Sequence, residues 1–161
     1  MISMTSAARS ILVGCTLFLT AVTAQAESGP FAGMAGVWSG SGTISLEGGA
    51  TERIRCRATY AVSGDGTGLN QNLTCASDSY KFDLKSDVTA RGNALTGQWS
   101  ESGRGVGGTL SGRAGNGQFN VTVSAPAFTA NLVMMTTGNS QSMTISSEGQ
   151  FKGAKIALTR S

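Results

Sequence analysis

From residue 36 onward the chain consists of short runs of alternating apolar and polar residues, separated by turn signals. The turn signals are clusters rich in Gly, Ser, Asn and Asp, together with one proline. They lie at residues 48–49, 63–66, 77–79, 91–93, 102–103, 115–117, 126, 138–139 and 148–149. These nine breaks predict about ten strands, and strands at this spacing are typical of a β-barrel or a β-sandwich.

Within the runs the apolar residues recur at every second position, which is the period of a strand with one buried face. One such face carries Tyr80, Phe82, Leu84 and Val88, while lysines and aspartates alternate on the other. The same alternation recurs over residues 54–62, 119–123, 128–134 and 143–145. The sequence therefore predicts an all-β fold, an up-and-down antiparallel barrel of about eight to ten strands, with a β-sandwich as the alternative.

The start of the chain has the pattern of a secretory signal peptide. Arg9 precedes an apolar run over residues 11–22, and Ala24-Gln25-Ala26 forms a small-residue cleavage site. We expect residues 1–26 to be removed by cleavage after Ala26. The mature chain, residues 27–161, would then be a single barrel domain that is periplasmic or secreted and is not integral to the membrane.

The three cysteines predict different roles. Cys15 ends a Leu-Val-Gly-Cys run that resembles a bacterial lipobox, so lipidation at Cys15 is the alternative to ordinary cleavage. Cys56 and Cys75 stay in the exported chain, where an oxidising compartment favours a disulfide. If they face each other across an antiparallel pair, the apolar faces of both strands coincide and Tyr60 lies opposite Gln71.

Composition and charge exclude several classes of function. The chain has no histidine, which excludes Ser-His-Asp and Cys-His catalysis, His-ligated zinc and a proximal-His haem. Its net charge of +3 gives no strong electrostatic footprint for nucleic acid. No pattern in the sequence predicts a catalytic residue, a metal ligand or a cofactor site. We therefore expect a non-enzymatic protein.

Two short motifs resemble those of a known family. Gly36-Val37-Trp38, at the start of the first predicted strand, resembles the G-x-W motif of the calycins, the lipocalin and avidin type of barrel. Asn93-Ala94-Leu95-Thr96-Gly97 is similar to strand starts in avidins. The resemblance implies a barrel in which the first tryptophan plugs one end, and it implies no ligand residue. The whole chain also resembles small uncharacterised exported proteins of alphaproteobacteria, which implies no activity.

The main functional prediction is that the barrel binds a small apolar ligand inside, because a barrel of this size can enclose one. The aromatic residues predicted to line the cavity are Trp38, Trp99, Tyr60 and Phe82, with core packing as the alternative role of each. A cavity of about 300 Å³ or more would favour ligand binding, and a filled interior would favour a surface role. Inward glycines at Gly40, Gly42 and Gly108 either leave room for a ligand or let the strands coil.

The alternative function is an interaction with an anionic envelope component. Arg53, Arg55 and Arg57 share the outer face of one predicted strand and form a stripe about 13 Å long. Such a stripe suits a lipid headgroup, a polysaccharide phosphate or an acidic protein, and a solvated strand face is the competing interpretation. A transmembrane outer-membrane barrel is less favoured, because it requires apolar outer faces and aromatic girdles.

Overall fold

In the computed structural model, which describes residues 28–161, ten strands close into one antiparallel barrel. The strands are β1 (Gly36–Leu46), β2 (Thr51–Val62), β3 (Gly68–Ala76), β4 (Lys81–Arg91), β5 (Ala94–Glu101), β6 (Val106–Gly115), β7 (Gln118–Ala125), β8 (Phe128–Thr137), β9 (Ser140–Ser147) and β10 (Phe151–Arg160). Each strand pairs with the next along the chain, and β10 pairs with β1. The predicted up-and-down barrel is confirmed. The predicted leader, with its cleavage site and Cys15, lies outside the described residues.

The connections between strands fall at the nine predicted breaks. A short 3₁₀ turn, Glu47–Gly49, joins β1 to β2, and the other connections are turns of a few residues. Asn116 and Gly117 form a two-residue hairpin loop, and both have positive φ angles, 52° and 76°. Asn-Gly is the favoured pair for such a turn because these two residue types tolerate that backbone. Local turn chemistry therefore makes β6 and β7 neighbours in the sheet.

The paired cysteines fix the register between β2 and β3. Cys56 lies directly opposite Cys75, and Tyr60 lies opposite Gln71. A disulfide joins the two cysteines, whose Cα atoms are 4.1 Å apart. The predicted bridge and its register are confirmed. A disulfide in this position fits an oxidising, exported environment.

One end of the barrel, which we call the closed end, is covered by residues 28–35 together with the turns that follow β2, β4, β6 and β8. Phe31 and Met34 of this segment are buried, and Phe31 stacks on Phe119 with ring centroids 5.8 Å apart. Trp38 is 0% exposed, and its Nε1 donates a hydrogen bond of 2.9 Å to the Met34 carbonyl. The guanidinium of Arg160 lies 4.7 Å from the centroid of the Trp38 ring. As the calycin resemblance implied, the first tryptophan plugs one end.

The covering segment is fastened to the turn between β2 and β3. The backbone N–H of Phe31 donates to the carbonyl of Gly66, at 3.0 Å. The Asp65 carboxylate in the same turn accepts hydrogen bonds from the Ser63 hydroxyl and from both the N–H and the hydroxyl of Thr67. These bonds lower the pKa of Asp65 to about 2, so the turn is held by an ionised side chain at neutral pH.

Two inward glycines lie where a neighbouring strand approaches closely. A Cβ atom built at Gly108 would overlap the carbonyl oxygen of Ser124, and one at Gly40 would overlap that of Ala157. Glycine is therefore required at both positions by the backbone of the adjacent strand. Such close approach at glycine lets a strand bend strongly, which helps the sheet to close into a barrel.

Candidate ligand-binding cavity

The interior of the barrel is not filled evenly. Trp38 and Phe119 near the closed end are buried, as are Ile44 and Ile54 toward the other end, whereas several apolar inward side chains elsewhere are only half-buried. These half-buried side chains belong to Leu84, Val121, Val123, Leu132 and Ile145. They face inward, because Val121 lies opposite Leu132, Leu132 opposite Ile145, and Ile145 opposite the buried Ala154. Accessible surface on an inward side chain indicates that the side chain borders a space that no other side chain fills.

The amino-acid sequence explains why this space is open on one side. The inward positions Gly97 of β5 and Gly108 and Gly112 of β6 carry no side chain. Gly112 lies directly opposite Val121, and a Cβ atom at Gly112 would overlap the Asn120 carbonyl oxygen, so the adjacent strand approaches closely there and only backbone lies beside the half-buried valine. Ten strands also enclose a wider interior than the eight that side chains alone can fill. The candidate cavity is therefore the part of the interior along β4 to β9, where the half-buried side chains lie.

Aromatic rings surround the mouth of the cavity, which lies at the open end, where the turns after β1, β3, β5, β7 and β9 meet. Tyr80 stacks on Phe151 with centroids 6.3 Å apart and meets the edge of Phe82 at 6.1 Å. Trp99 and Phe128 form a second pair at 5.9 Å, and Trp99 extends this aromatic wall inward because it lies directly opposite Ser86 of β4. These rings give the entrance flat apolar walls, a common feature of sites for small apolar molecules.

A buried carboxylate holds the turn between β5 and β6 at this mouth. Glu101 is 6% exposed, and it accepts backbone hydrogen bonds from Asp83 at 3.0 Å, Gly103 at 3.0 Å and Arg104 at 2.7 Å. Burial disfavours the charged form, but the three N–H donors outweigh it and the pKa of Glu101 is lowered. The Arg104 guanidinium lies 3.4 Å from this carboxylate and 4.4 Å from the centroid of the Tyr80 ring. Glu101 and Arg104 therefore form an ion pair at the mouth.

Deeper in the barrel a glutamine and a serine form the polar part of the cavity wall. Gln71 of β3 lies opposite Ser86 of β4, and the Ser86 Oγ is 3.4 Å from the Gln71 Oε1. Both side chains face inward, because Gln71 follows the phase of the buried Leu69 and Leu73, and both are only half-buried. Trp99 lies directly opposite Ser86 on the other side. This pair is placed to contact the inner end of a bound molecule.

The floor of the cavity is a buried network at the closed end. The Tyr60 hydroxyl donates to the Gln141 Oε1 at 2.7 Å, and the Gln141 Nε2 donates to the Thr136 Oγ1 at 3.1 Å. Burial raises the pKa of Tyr60, so the phenol stays neutral. The Tyr60 ring meets Trp38 edge-on at 6.2 Å. The Tyr60 hydroxyl and the Gln141 amide therefore find their partners within the protein.

The four predicted cavity residues thus separate into two pairs. Trp99 and Phe82 lie on the wall toward the mouth, whereas Trp38 and Tyr60 pack in the floor. Gln71, Ser86, Glu101 and Arg104 were not among the predicted site residues. The inward position of Gln71 could have been predicted from the sequence, because the cysteine register already placed Gln71 opposite Tyr60.

The three predicted arginines lie on the outer face of β2 and are exposed. The residues directly opposite them on β1 and β3 carry only hydroxyl or methyl groups: Ser39, Ser41, Thr43, Thr74 and Ala76. Lys155 of β10 lies opposite Thr43 and is also exposed. Four cations therefore share one wall without a carboxylate at any of these directly opposed positions.

Two open clefts lie at the closed end. One, of about 370 Å³, is bordered by Met34, Phe119 and Arg160. The other, of about 410 Å³, is bordered by Val62, Leu69 and Val88. Both are open to solvent, and neither is bordered by Leu84, Val121, Val123, Leu132 or Ile145, so neither is the interior cavity of about 300 Å³ or more whose presence would favour a ligand. Accessible inward surface, rather than cleft volume, therefore marks the candidate site.

Comparisons with known proteins place the fold. No protein-family model and no curated protein matches the chain. Among solved structures, Rv2717c from M. tuberculosis is similar with a TM-score of 0.66 and 10% identity, covering 81% of this chain and 94% of that one. The S-type phycobiliprotein lyase CPES from Guillardia theta is similar with a TM-score of 0.59 and 8% identity, covering 81% and 90%. Both are calycin-like barrels, so the likeness shows a calycin-like fold.

Within residues 28–161, no helix is long and apolar enough to cross a membrane.

Proposed function

We propose that the protein is a non-enzymatic binding protein that holds a small, largely apolar molecule in the open half of the barrel. The observation that carries this proposal is the set of inward apolar side chains that keep accessible surface, bounded by an aromatic mouth. Apolar pockets with few polar groups are the usual form of small-molecule sites. One structural neighbour is named as a phycobiliprotein lyase, which is consistent with a small-molecule role for a barrel of this shape.

We place this function in the periplasm or outside the cell. The disulfide and the signal-peptide pattern of residues 1–26 support that location. The polar groups at the inner end of the cavity are an amide and a hydroxyl, and neither is a general base. The inward carboxylates, Glu52 and Glu101, lie toward the mouth and accept hydrogen bonds from the protein, which supports binding rather than catalysis.

Binding of N-phenyl-1-naphthylamine, a neutral apolar fluorophore, tests this function. We expect the purified mature protein to bind it, with increased fluorescence. Val121→Trp should weaken binding by about tenfold or more, because the added ring occupies the cavity. Asn120→Trp is the matched control, since the adjacent side chain points to solvent, and its affinity should stay within about twofold of wild type.

The affinity of each variant is measured by titration with the fluorophore, and the melting temperature of each variant shows whether it is folded. Absence of binding to the wild-type protein would overturn the proposed function. Equal affinities for the two tryptophan variants would show that the fluorophore binds outside the barrel.

A second candidate function is docking of a phosphate-bearing envelope component to the outer wall. The observation that favours it is the group of four exposed cations, Arg53, Arg55, Arg57 and Lys155, flanked by hydroxyl side chains. Guanidinium groups bind phosphate in a bidentate fashion, and serine and threonine hydroxyls add donors. Outward charges in mid-strand, such as Arg57 and Lys85, would each cost about 2–4 kcal/mol at a bilayer midplane, so we do not propose a transmembrane barrel.

Vesicles that contain phosphatidylglycerol, and phosphorylated polysaccharide, are the probes for this second function. Replacing Arg53, Arg55 and Arg57 by glutamine should weaken binding by about tenfold and flatten its salt dependence, while stability changes little. The control replaces Lys85, Arg91 and Arg113 by glutamine, which removes the same charge elsewhere on the barrel. Equal losses in the two triple variants would show that only net charge matters, and would contradict a docking site on β2.

A further inference from the structure

The most informative unassigned feature of the interior is the polar pair at the inner end of the cavity. Gln71 and Ser86 are flanked by apolar side chains, yet both keep accessible surface. The Ser86 hydroxyl approaches the Gln71 Oε1 at 3.4 Å. Within residues 28–161 the Gln71 side chain donates no hydrogen bond to the protein, and its oxygen is the atom that Ser86 approaches. The amide N–H groups are therefore available to a ligand that reaches this pair.

The part of the cavity around this pair carries no charge. Among the described residues, the inward charged side chains are Glu52 and Glu101 toward the mouth and Arg160 beneath the Trp38 ring. Glu52 accepts hydrogen bonds from Ser77 and Ser79. An ionised group that reached the inner end would lose its hydration and find no countercharge there.

The distance from this pair to the mouth sets the shape of the ligand. Ser86 of β4 lies six residues after Tyr80, which directly precedes the strand, and this corresponds to about 20 Å of extended chain. The wall between them carries Leu84 and Phe82, and Trp99 stands beside Ser86. An elongated or flat apolar body fits this wall, with one polar atom at its inner end.

We infer that the cavity selects an uncharged molecule with an elongated or flat apolar body whose inner end bears a hydrogen-bond acceptor, such as a ketone, ester or hydroxyl oxygen, received by the Gln71 amide. The inference rests on the proposed binding function and specifies the class of its ligand. A lone amide donor in apolar surroundings discriminates strongly, because an apolar group placed against it leaves the amide unpaired.

Three naphthalene derivatives of similar size test this inference by competition with N-phenyl-1-naphthylamine at pH 7. The probes are 2-acetylnaphthalene, which carries a ketone, 2-ethylnaphthalene, which is apolar, and 2-naphthoate, which is anionic. We expect the wild-type protein to bind 2-acetylnaphthalene about tenfold more tightly than 2-naphthoate. Gln71→Leu should lower the affinity for 2-acetylnaphthalene by about tenfold, because it removes the amide that receives the ketone. Its affinity for 2-ethylnaphthalene should stay within about twofold of wild type.

Gln98→Leu is the matched control, because Gln98 lies on the outer face of β5 and is exposed. It should change none of the three affinities. Ser86→Ala provides a second variant that keeps the amide but removes the hydroxyl beside it. We expect Ser86→Ala to lower the affinity for 2-acetylnaphthalene by a smaller factor than Gln71→Leu does. This variant keeps the inference testable if Gln71→Leu does not fold.

Each other outcome overturns the inference in a distinguishable way. Tightest binding of 2-naphthoate would show a charged inner end. Equal weakening of the ketone and the hydrocarbon by Gln71→Leu would show that the glutamine only packs. If the fluorophore binds but no naphthalene displaces it, the ligand class is wrong while the proposed function stands. If the fluorophore itself does not bind, both fail.

Discussion

Replacing Trp38 by alanine is expected to lower the free energy of unfolding by about 4 kcal/mol. Trp38 is 0% exposed, and its ring contacts both Tyr60 and the Arg160 guanidinium. Its indole N–H also holds the Met34 carbonyl, which anchors the segment that covers the closed end. Truncation therefore leaves a large cavity and releases that segment from the barrel.

Urea unfolding followed by far-ultraviolet circular dichroism measures this loss. Trp38→Phe should lower the free energy of unfolding by less, because phenylalanine keeps an aromatic plug and removes only the indole hydrogen bond and part of the ring. Val133→Ala is the surface control, since Val133 is 45% exposed, and its effect should stay within about 0.5 kcal/mol. A loss below about 1 kcal/mol for Trp38→Ala would contradict the role of the tryptophan as the plug.

The fold was predictable because its information is local. Each strand pairs with the next, so nine turn signals and a two-residue period specify the order of the strands and the side that faces inward. The Cys56–Cys75 pair added one register, and the neighbouring ladder positions followed it, including Tyr60 opposite Gln71.

The division of the interior into floor and cavity was not predictable in the same way. Trp38, Tyr60, Phe82 and Trp99 all have the inward phase, and alternation alone gives them the same environment. Their heights along the barrel depend on the tilt and stagger of the strands, which are properties of the closed sheet. Only the assembled barrel separates Trp99, beside the polar pair, from Trp38, which is fully buried against Arg160.

The two candidate binding surfaces lie on opposite sides of the barrel wall. The polar pair faces inward from β3 and β4, whereas the arginines of β2 face outward. Side chains on opposite faces of a sheet do not share partners, so their substitutions should act independently. Gln71→Leu should leave vesicle binding unchanged, and the arginine variant should leave the fluorophore bound, which lets each function be assigned separately.

Loss of the Cys56–Cys75 disulfide is expected to lower the free energy of unfolding by about 3 kcal/mol. The bridge joins residues 19 positions apart, and closing a loop of this length restricts the unfolded chain by about that amount. Cys56→Ala with Cys75→Ala is the preferred variant, because both positions are buried and serine would place unpaired hydroxyls there. The barrel should still form, since Ala58 opposite Leu73 and Tyr60 opposite Gln71 hold the same register.

Urea unfolding measures the effect. The samples are the double alanine variant and the wild-type protein, the latter both with and without a reductant. The variant and the reduced wild type should unfold at similar urea concentrations, both below that of the oxidised protein. Thiol titration of the unfolded, unreduced mature protein should detect no free thiol. Two titratable thiols, or a variant as stable as wild type, would contradict the disulfide as a stabilising link between β2 and β3.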